Sequence, residues 1–319
     1  MNDVVNWVVG AGGLLGSSVC GVAPQTETVW VPQRSLNWNS RESLAKDLSS
    51  TFSEFIDATI GHRWRIWWCA GKGTVSSSRE ILDDELTALT LMLRSFSQLP
   101  KSWREKGQVI FSSSAGSIYA GSSDLVIGPN TAPVPVTDYG MMKFRAETIL
   151  REVGSEHGVA IHIARITNLY GPKQDMSKSQ GLISTVCASV IRREPIPIFV
   201  SLGTVRNYIH ARDAARLMWK SVLTSSNDRE SISVVCSPAN LSVGNILKIV
   251  EDVVGQRVLT RTASRPDSPL LSKSVFFDPA RFDLALHDYT PVPIGVDEVY
   301  SGLLDSWQRG LMASRREVA

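Results

Sequence analysis

Cysteine is scarce in this chain, and the few there are form no pattern. Cys20, Cys69, Cys187 and Cys236 are spread over 319 positions without metal-type spacing, which argues against a zinc site or a disulfide framework. Cys69 and Cys236 fall in apolar, strand-like runs, where buried free thiols are expected, and such usage fits a reducing compartment. Long apolar runs are also missing. No window approaches the roughly 18 uninterrupted apolar residues of a membrane span. The chain opens on a strand and a glycine turn, not on the basic and apolar regions of a signal peptide. A cytoplasmic location with no membrane partner is the expectation. Nor does one sign of charge dominate: 33 Lys and Arg stand against 31 Asp and Glu, a net +2, with no basic block to meet a nucleic acid. The pairs Arg192-Arg193 and Arg315-Arg316 read as solvated. There are no internal repeats and no low-complexity tracts.

What is present describes an ordinary globular chain, 43% hydrophobic and 20% charged, long enough to bury a sizeable core. Val4 to Val9 is a nearly continuous apolar run, as in a parallel strand covered on both faces. It leads into Gly-Ala-Gly-Gly-Leu-Leu-Gly, with Gly10, Gly13 and Gly16 three apart and Gly12 extra. Glycines there let the backbone turn tightly and approach a pyrophosphate, while the N-terminus of the next helix supplies amide groups and positive dipole. A second strand is expected over Thr28 to Val31. An NAD site usually places an acid about 20 residues beyond the glycines, whereas arginine suits a 2′-phosphate. Here that position holds Gln33 or Arg34 and no acid, which leans toward NADP over NAD.

Residues 36–63 offer only helical-looking sequence, Arg41 to Ile60, where a third strand would be sought. Trp64 to Ala70 reads as a strand, followed by Gly71-Lys72-Gly73. Ile81 to Phe96 is an amphipathic helix with Leu82, Leu86, Leu89, Leu93 and Phe96 at helical spacing. Gln108 to Leu150 carries the chemistry. Val109 to Phe111 is an apolar run ending in Ser112, Ser113 and Ser114, the way a buried strand delivers hydroxyls to a sheet edge. A helix follows with Tyr139 and Lys143 at i,i+4, so that phenol and ammonium share a face. An ammonium beside a phenol favours the phenolate, and a nearby serine could orient the oxygen whose proton the tyrosine handles.

These motifs together resemble an extended short-chain dehydrogenase/reductase of the NAD-dependent epimerase/dehydratase family. The resemblance implies a doubly wound parallel α/β sheet of Rossmann type with a smaller C-terminal substrate-binding lobe. Residues 1–172 would form the dinucleotide-binding domain, completed by about 204–236, with 173–203 and 237–319 as the substrate lobe. It puts Ser114, Tyr139 and Lys143 on the family's catalytic Ser, Tyr and Lys. Cofactor contacts would fall on Gly10, Gly12, Gly13, Leu14, Leu15, Gly16, Gln33, Arg34, Ala70, Gly71, Lys72 and Ser112. The family's third strand, with an acid near the adenine, is shortened or missing here, and Asp57 is the one candidate. Arg165-Ile166-Thr167-Asn168-Leu169-Tyr170-Gly171-Pro172 resembles the family's exit to the substrate lobe, with Asn168 facing a sugar-nucleotide diphosphate. Thr204 to Ala214 resembles its R-x-Y-I-H-V-x-D segment; there Arg206 would fork onto phosphate oxygens, His210 would be structural and Asp213 would cap a helix. Arg281, in the closing segment, would reach a nucleotide phosphate or ribose.

The implied partner is a nucleotide sugar, and the implied assembly a homodimer through the 81–96 helix and the one carrying Tyr139. The implied chemistry is hydride transfer at a sugar carbon. Sugar 4,6-dehydratases of this kind carry Thr-Asp-Glu where Ser114-Ala115-Gly116 stands, and without that pair elimination of water has no evident acid and base. An NAD(P)-dependent epimerase, at C4, is the leading expectation. An NADPH-dependent 4-ketoreductase of a nucleotide sugar is the alternative. A reductase of a non-sugar ketone and a non-catalytic cofactor sensor remain as further readings. No metal is expected.

Overall fold

The computed structural model describes residues 4–38, 40–177, 180–225, 228–264, 273–282 and 284–310; the Arg315-Arg316 pair lies outside them. In chain order the first half runs β1 (Val4–Val9), α1 (Leu14–Gly21), β2 (Thr28–Trp30), α2 (Arg41–Ala58), β3 (Arg63–Trp68), α3 (Arg79–Arg94), α4 (Lys101–Arg104), β4 (Gly107–Ser114), α5 (Ala115–Ile118), β5 (Val126–Ile127), α6 (Asp138–His157), β6 (Ala160–Ile166) and β7 (Asn168–Tyr170). The second half adds α7 (Leu182–Arg192), β8 (Ile196–Ile198), β9 (Val205–His210), α8 (Ala211–Thr224), β10 (Glu230–Val235), β11 (Asn240–Ser242), α9 (Val243–Val254), β12 (Thr260–Thr262), β13 (Phe276–Phe277) and α10 (Val292–Gln308).

Six strands pair in the order β10-β6-β4-β3-β1-β2, and every pairing is parallel. This is a doubly wound sheet, and its apolar strands are buried on both faces as parallel strands require. One face packs against α2, α3 and α6 through a core that includes Trp7, Trp64, Trp68, Phe52, Phe55 and Leu89. The other carries α1 and α8 on Val8, Trp67, Ile110 and Ile209. Trp64 stacks on Trp103 with ring centroids 4.2 Å apart. A side chain on Gly107 would strike the Trp64 ring, its Cβ falling 1.8 Å from that indole. Here glycine is required by packing, not by turn geometry.

The chain goes from β2 through α2 straight to β3, which pairs with β1. The third strand of the usual order is therefore absent among the described residues, and β2 forms the edge of the sheet. Asp57 is exposed near the end of α2, the helix that returns the chain to the start of β3. It lies at the end of the sheet opposite the glycine turn, so the structure does not place it near the adenine. A separate core joins Tyr170, Ile183, Tyr208, Ile246, Val250, Val296 and Leu303, from β7, α7, β9, α9 and α10. No helix among the described residues is long and apolar enough to cross a membrane.

His162 of β6 is buried between Ser231 (Nδ1–Oγ 2.8 Å) and Ser233 (Nε2–Oγ 3.0 Å). Burial pulls its pKa from the ordinary 6.5 down to about 4. Between those values the unfolded chain binds a proton that the native chain does not, so stability is lost as pH falls through that window. His162→Gln should flatten this dependence: its urea midpoint should fall less than the wild type's between pH 6.5 and 4, as measured by circular dichroism at each pH.

Candidate active site

The glycine turn is held backbone against backbone. Gly10 has φ +88°, and a Cβ there would lie 2.8 Å from the Ala70 amide nitrogen. A Cβ on Gly16 would lie 2.2 Å from the Gly10 carbonyl oxygen. No other residue fits either place without moving β1, β3 or α1. The Gly13 amide donates to the Gly10 carbonyl at 3.0 Å, and Gly13 caps α1 with backbone alone. Gly12 and Gly13 are exposed, and the first amides of α1, at Leu14 to Gly16, have no helical partner of their own. Bare amides at a positive helix end, with no side chain over them, fit an anion such as a dinucleotide diphosphate.

A cleft of about 560 Å³ opens above this turn. It lies at the carboxyl ends of β1, β3, β4 and β6, where α/β sheets bind ligands. Gly12 to Leu15, Ala70, Gly71, Ser112, Ser114, Tyr139, Lys143, Asn168 and Arg206 all line it. The structure thus brings together most of the residues singled out above. Gln33, Arg34 and Lys72 are exposed and do not line it; the Lys72 ammonium instead donates to the Trp38 carbonyl at 3.4 Å. Arg281 borders a separate pocket with Asp124, Gly128 and Thr131, so it does not reach the cleft.

The three serines at the end of β4 face different neighbours. Ser112 donates to the Trp68 carbonyl at 2.8 Å. Ser113 points into the core and donates to Glu147 at 2.6 Å. Ser114 accepts from the Ser117 amide at 3.4 Å, and its hydroxyl is near enough to the Tyr139 phenol to pull the phenol's pKa down. Of the three, Ser114 is the one that lowers the phenol's pKa, while Ser112 and Ser113 are committed to Trp68 and Glu147. Lys143 is 5% exposed, with its ammonium 5.7 Å from the Tyr139 ring centroid and 5.0 Å from that of Phe111.

Tyr139 does not titrate as the ammonium alone would dictate. Burial pushes the phenol up, Lys143 and the Ser114 hydrogen bond pull it down, and the Glu85 carboxylate pushes it up again, leaving a net rise. Burial pulls the Lys143 ammonium down, but Glu85, Tyr139 and Glu147 outweigh it and hold it above the usual lysine range. Glu85, which sequence reasoning missed, accepts from Lys143 at 2.7 Å and from the Gly73 amide at 2.8 Å. Its signal was present: it sits between Leu82 and Leu89 on the apolar stripe of α3, where a solvated acid does not belong.

Below the serines lies a buried network that pattern reading also missed. Arg165 donates to Glu147 from Nε and Nη2, at 3.0 and 2.6 Å, and to the Tyr119 hydroxyl at 2.7 Å. It ties β6 to α6 and so fixes the helix that carries Tyr139 and Lys143. On the far wall Asn168 donates to the Asn207 carbonyl at 2.8 Å, while Arg206 donates to the Val205 and Lys273 carbonyls at 2.8 and 2.7 Å. His210 is buried and caps α8, its Nδ1 accepting from the Arg212 amide at 3.3 Å. Asp213 is therefore not the cap. It lies in the first turn and accepts from the Thr290 amide at 2.7 Å. The four cysteines are free, and burial pushes the Cys187 and Cys236 thiols up to about 12.

Known proteins resemble this chain in sequence and in fold. The UDP-glucose 4-epimerase of Azospirillum brasilense is 29% identical over 177 residues, 51% of each chain. The dTDP-4-dehydro-6-deoxyglucose reductase of Escherichia coli is 30% identical over 145 residues, 45% of each chain. The chain thus spans about half the length of these curated relatives. RMD from Pseudomonas aeruginosa, solved with NADPH, superposes with a TM-score of 0.75 at 15% identity, over 94% of this chain and 99% of that one, a likeness of fold. The model of the NAD dependent epimerase/dehydratase family matches residues 7–236. A parallel sheet, a bare glycine turn and a Ser-Tyr-Lys cluster at its carboxyl edge all agree with that match, and the chain belongs to this family, as an enzyme of the short-chain dehydrogenase/reductase type.

Proposed function

We propose that the protein is an NAD(P)-dependent nucleotide-sugar epimerase that oxidises and re-reduces one sugar carbon, C4. The observation that carries this reading is the convergence of Ser114, Tyr139 and Lys143 on a cleft whose other end is the glycine turn. The amides of Gly12, Gly13 and the start of α1 would hold the diphosphate of the cofactor. Ala70, Gly71 and Ser112 would border its ribose. When bound, NAD(P) supplies the hydride acceptor and donor. The chain's own residues handle the proton. Tyr139 takes it from the sugar hydroxyl as the carbon is oxidised and returns it as the carbon is reduced. Ser114 holds the oxygen during both transfers, and Lys143 opposes the burial that keeps the phenol protonated. Asn168 and Arg206, across the cleft, are assigned to the diphosphate of the sugar nucleotide. The described residues within 173–203 and 237–310 are assigned to a lobe that binds the sugar.

A second reading, a 4-ketoreductase using NADPH, is favoured by one feature. The segment after β2 reads Val31-Pro32-Gln33-Arg34 and contains no acid, while an exposed guanidinium suits a 2′-phosphate. The Escherichia coli relative is named as a reductase. Free thiols held protonated by burial suit the cytoplasm, and we assign the protein there.

Tyr139→Phe should lower turnover of a UDP-sugar panel by about 10²-fold or more while calorimetry still detects dinucleotide binding; retained turnover would remove Tyr139 as the proton carrier. Arg34→Ala should weaken NADP about tenfold more than NAD, given about 1.5–3 kcal/mol for a hydrogen bond to a charged group, and an unchanged preference would remove the argument for NADP. Ile81 of α3 and Met141 of α6 are 42% and 55% exposed, and α3 and α6 pack together. We assign a homodimer to their outer faces. Sedimentation should give twice the chain mass, and the mass of a single chain would remove that assignment.

A further inference from the structure

We propose that Glu85, on the buried stripe of α3, is a positioning residue of this site: its carboxylate fixes the Lys143 ammonium and the Gly71–Gly73 turn, and it supplies the negative charge against which Tyr139 holds its proton. The inference rests on the reading of Tyr139 as proton carrier given above.

The geometry is specific. Glu85 and Lys143 side chains are 8% and 6% exposed and 2.7 Å apart, so the pair is shielded from water and held in one arrangement. The second carboxylate oxygen accepts from the Gly73 amide at 2.8 Å. A Cβ on Gly71 would fall 2.9 Å from Glu85 Oε1. One on Gly73 would fall 2.9 Å from Glu85 Oε2 and 3.5 Å from Tyr139 Cδ2. The carboxylate and the Tyr139 ring therefore flank the same glycine, and the space a side chain would need is taken at Gly71 by Glu85 and at Gly73 by Leu82 and Glu85 together. A lone buried carboxylate would be costly. Paired with an ammonium, it leaves the site near neutrality in the absence of ligand, and the phenol keeps its proton.

The other groups around Tyr139 do not replace this charge. Glu147 of α6 is committed to Arg165 at 2.6 Å. Asp138, at the start of α6, pairs outward with Arg79 at 3.0 Å on the exposed surface. Cys69, at the end of β3, is a protonated thiol raised by burial. Ser114 lowers the phenol's pKa through a neutral hydroxyl and brings no charge. Among the described residues, Lys143 is the cation that meets Glu85 and also lies over the Tyr139 ring.

Glu85→Gln removes the charge and keeps an oxygen for the Gly73 amide, which separates electrostatics from scaffolding. The readout needs no substrate: ultraviolet difference titration of tyrosinate, taken by rapid pH jump before the chain can unfold. The step present in the wild type and missing in Tyr139→Phe belongs to Tyr139. In Glu85→Gln that step should move down by about one pH unit. Glu85→Asp draws the carboxylate back by one methylene and should move it down by less; if Glu85→Gln does not fold, Glu85→Asp decides. A step that stays in place or moves up overturns the inference, since a purely scaffolding role would leave it unmoved. Retained turnover in Tyr139→Phe would instead sink the reading of Tyr139 itself. Lost turnover together with an unmoved step sinks Glu85 alone.

Discussion

The structure depends on a close approach between backbones at the start of the chain. The Gly10 carbonyl occupies the space that a side chain on Gly16 would need, and Gly10 itself lies against the Ala70 amide. β1, β3 and α1 are thereby fixed within a few ångströms of one another, with no side chain between them. The amides of the turn are left facing the cleft. The same corner receives the chain as it leaves the sheet: a Cβ on Gly171 would lie 3.0 Å from Leu14 Cδ1. The glycine turn and the segment that leaves the sheet thus share one packed junction.

The second layer of organisation is charge held out of water. Two acids on helices each meet a cation deep in the site, Glu147 with Arg165 and Glu85 with Lys143. Neither pair is an efficient source of net stability, because desolvation offsets most of the attraction. Their value lies in direction. Arg165 reaches Glu147 and Tyr119 at once, which locks α6 onto β6 and gives the phenol a fixed approach to Ser114. Glu85 does the same from α3, through Lys143 and the Gly73 amide. The tyrosine is therefore held by two helices and a strand, none of which can shift without unpairing a buried charge.

Much of this was legible in the sequence because its physics is periodic or local. Continuous apolar runs marked β1, β3 and β4, and an i,i+4 relation placed Tyr139 and Lys143 on one face. Glycine spacing marked the turn. Other features depend on contacts between distant segments and left weaker traces. Glu85 reads as one more acid in a charged helix until its place between Leu82 and Leu89 is weighed. Ser112, Ser113 and Ser114 are alike in sequence and differ only in what each hydroxyl meets. His210, not Asp213, caps α8, because Asp213 is drawn to the Thr290 amide 77 residues away. Arg281 was placed near a phosphate by its segment, yet the chain carries it to the pocket beside Gly128.

The shortened edge of the sheet bears on cofactor choice. The crevice for a dinucleotide opens where strand order reverses, and here β1 still pairs with both β2 and β3. Losing the outer strand therefore leaves the diphosphate end of the site intact and trims only what would lie beyond β2. β2 itself is three residues long, as an edge strand that must avoid pairing with other chains tends to be. With no outer strand among the described residues to bring in a further side chain, discrimination at the adenosine end would, under the function proposed above, fall to the few residues just past Trp30. Those residues are Val31, Pro32, Gln33 and Arg34. They offer one cation and no carboxylate, so under the function proposed above the choice between the two dinucleotides would rest on one exposed guanidinium.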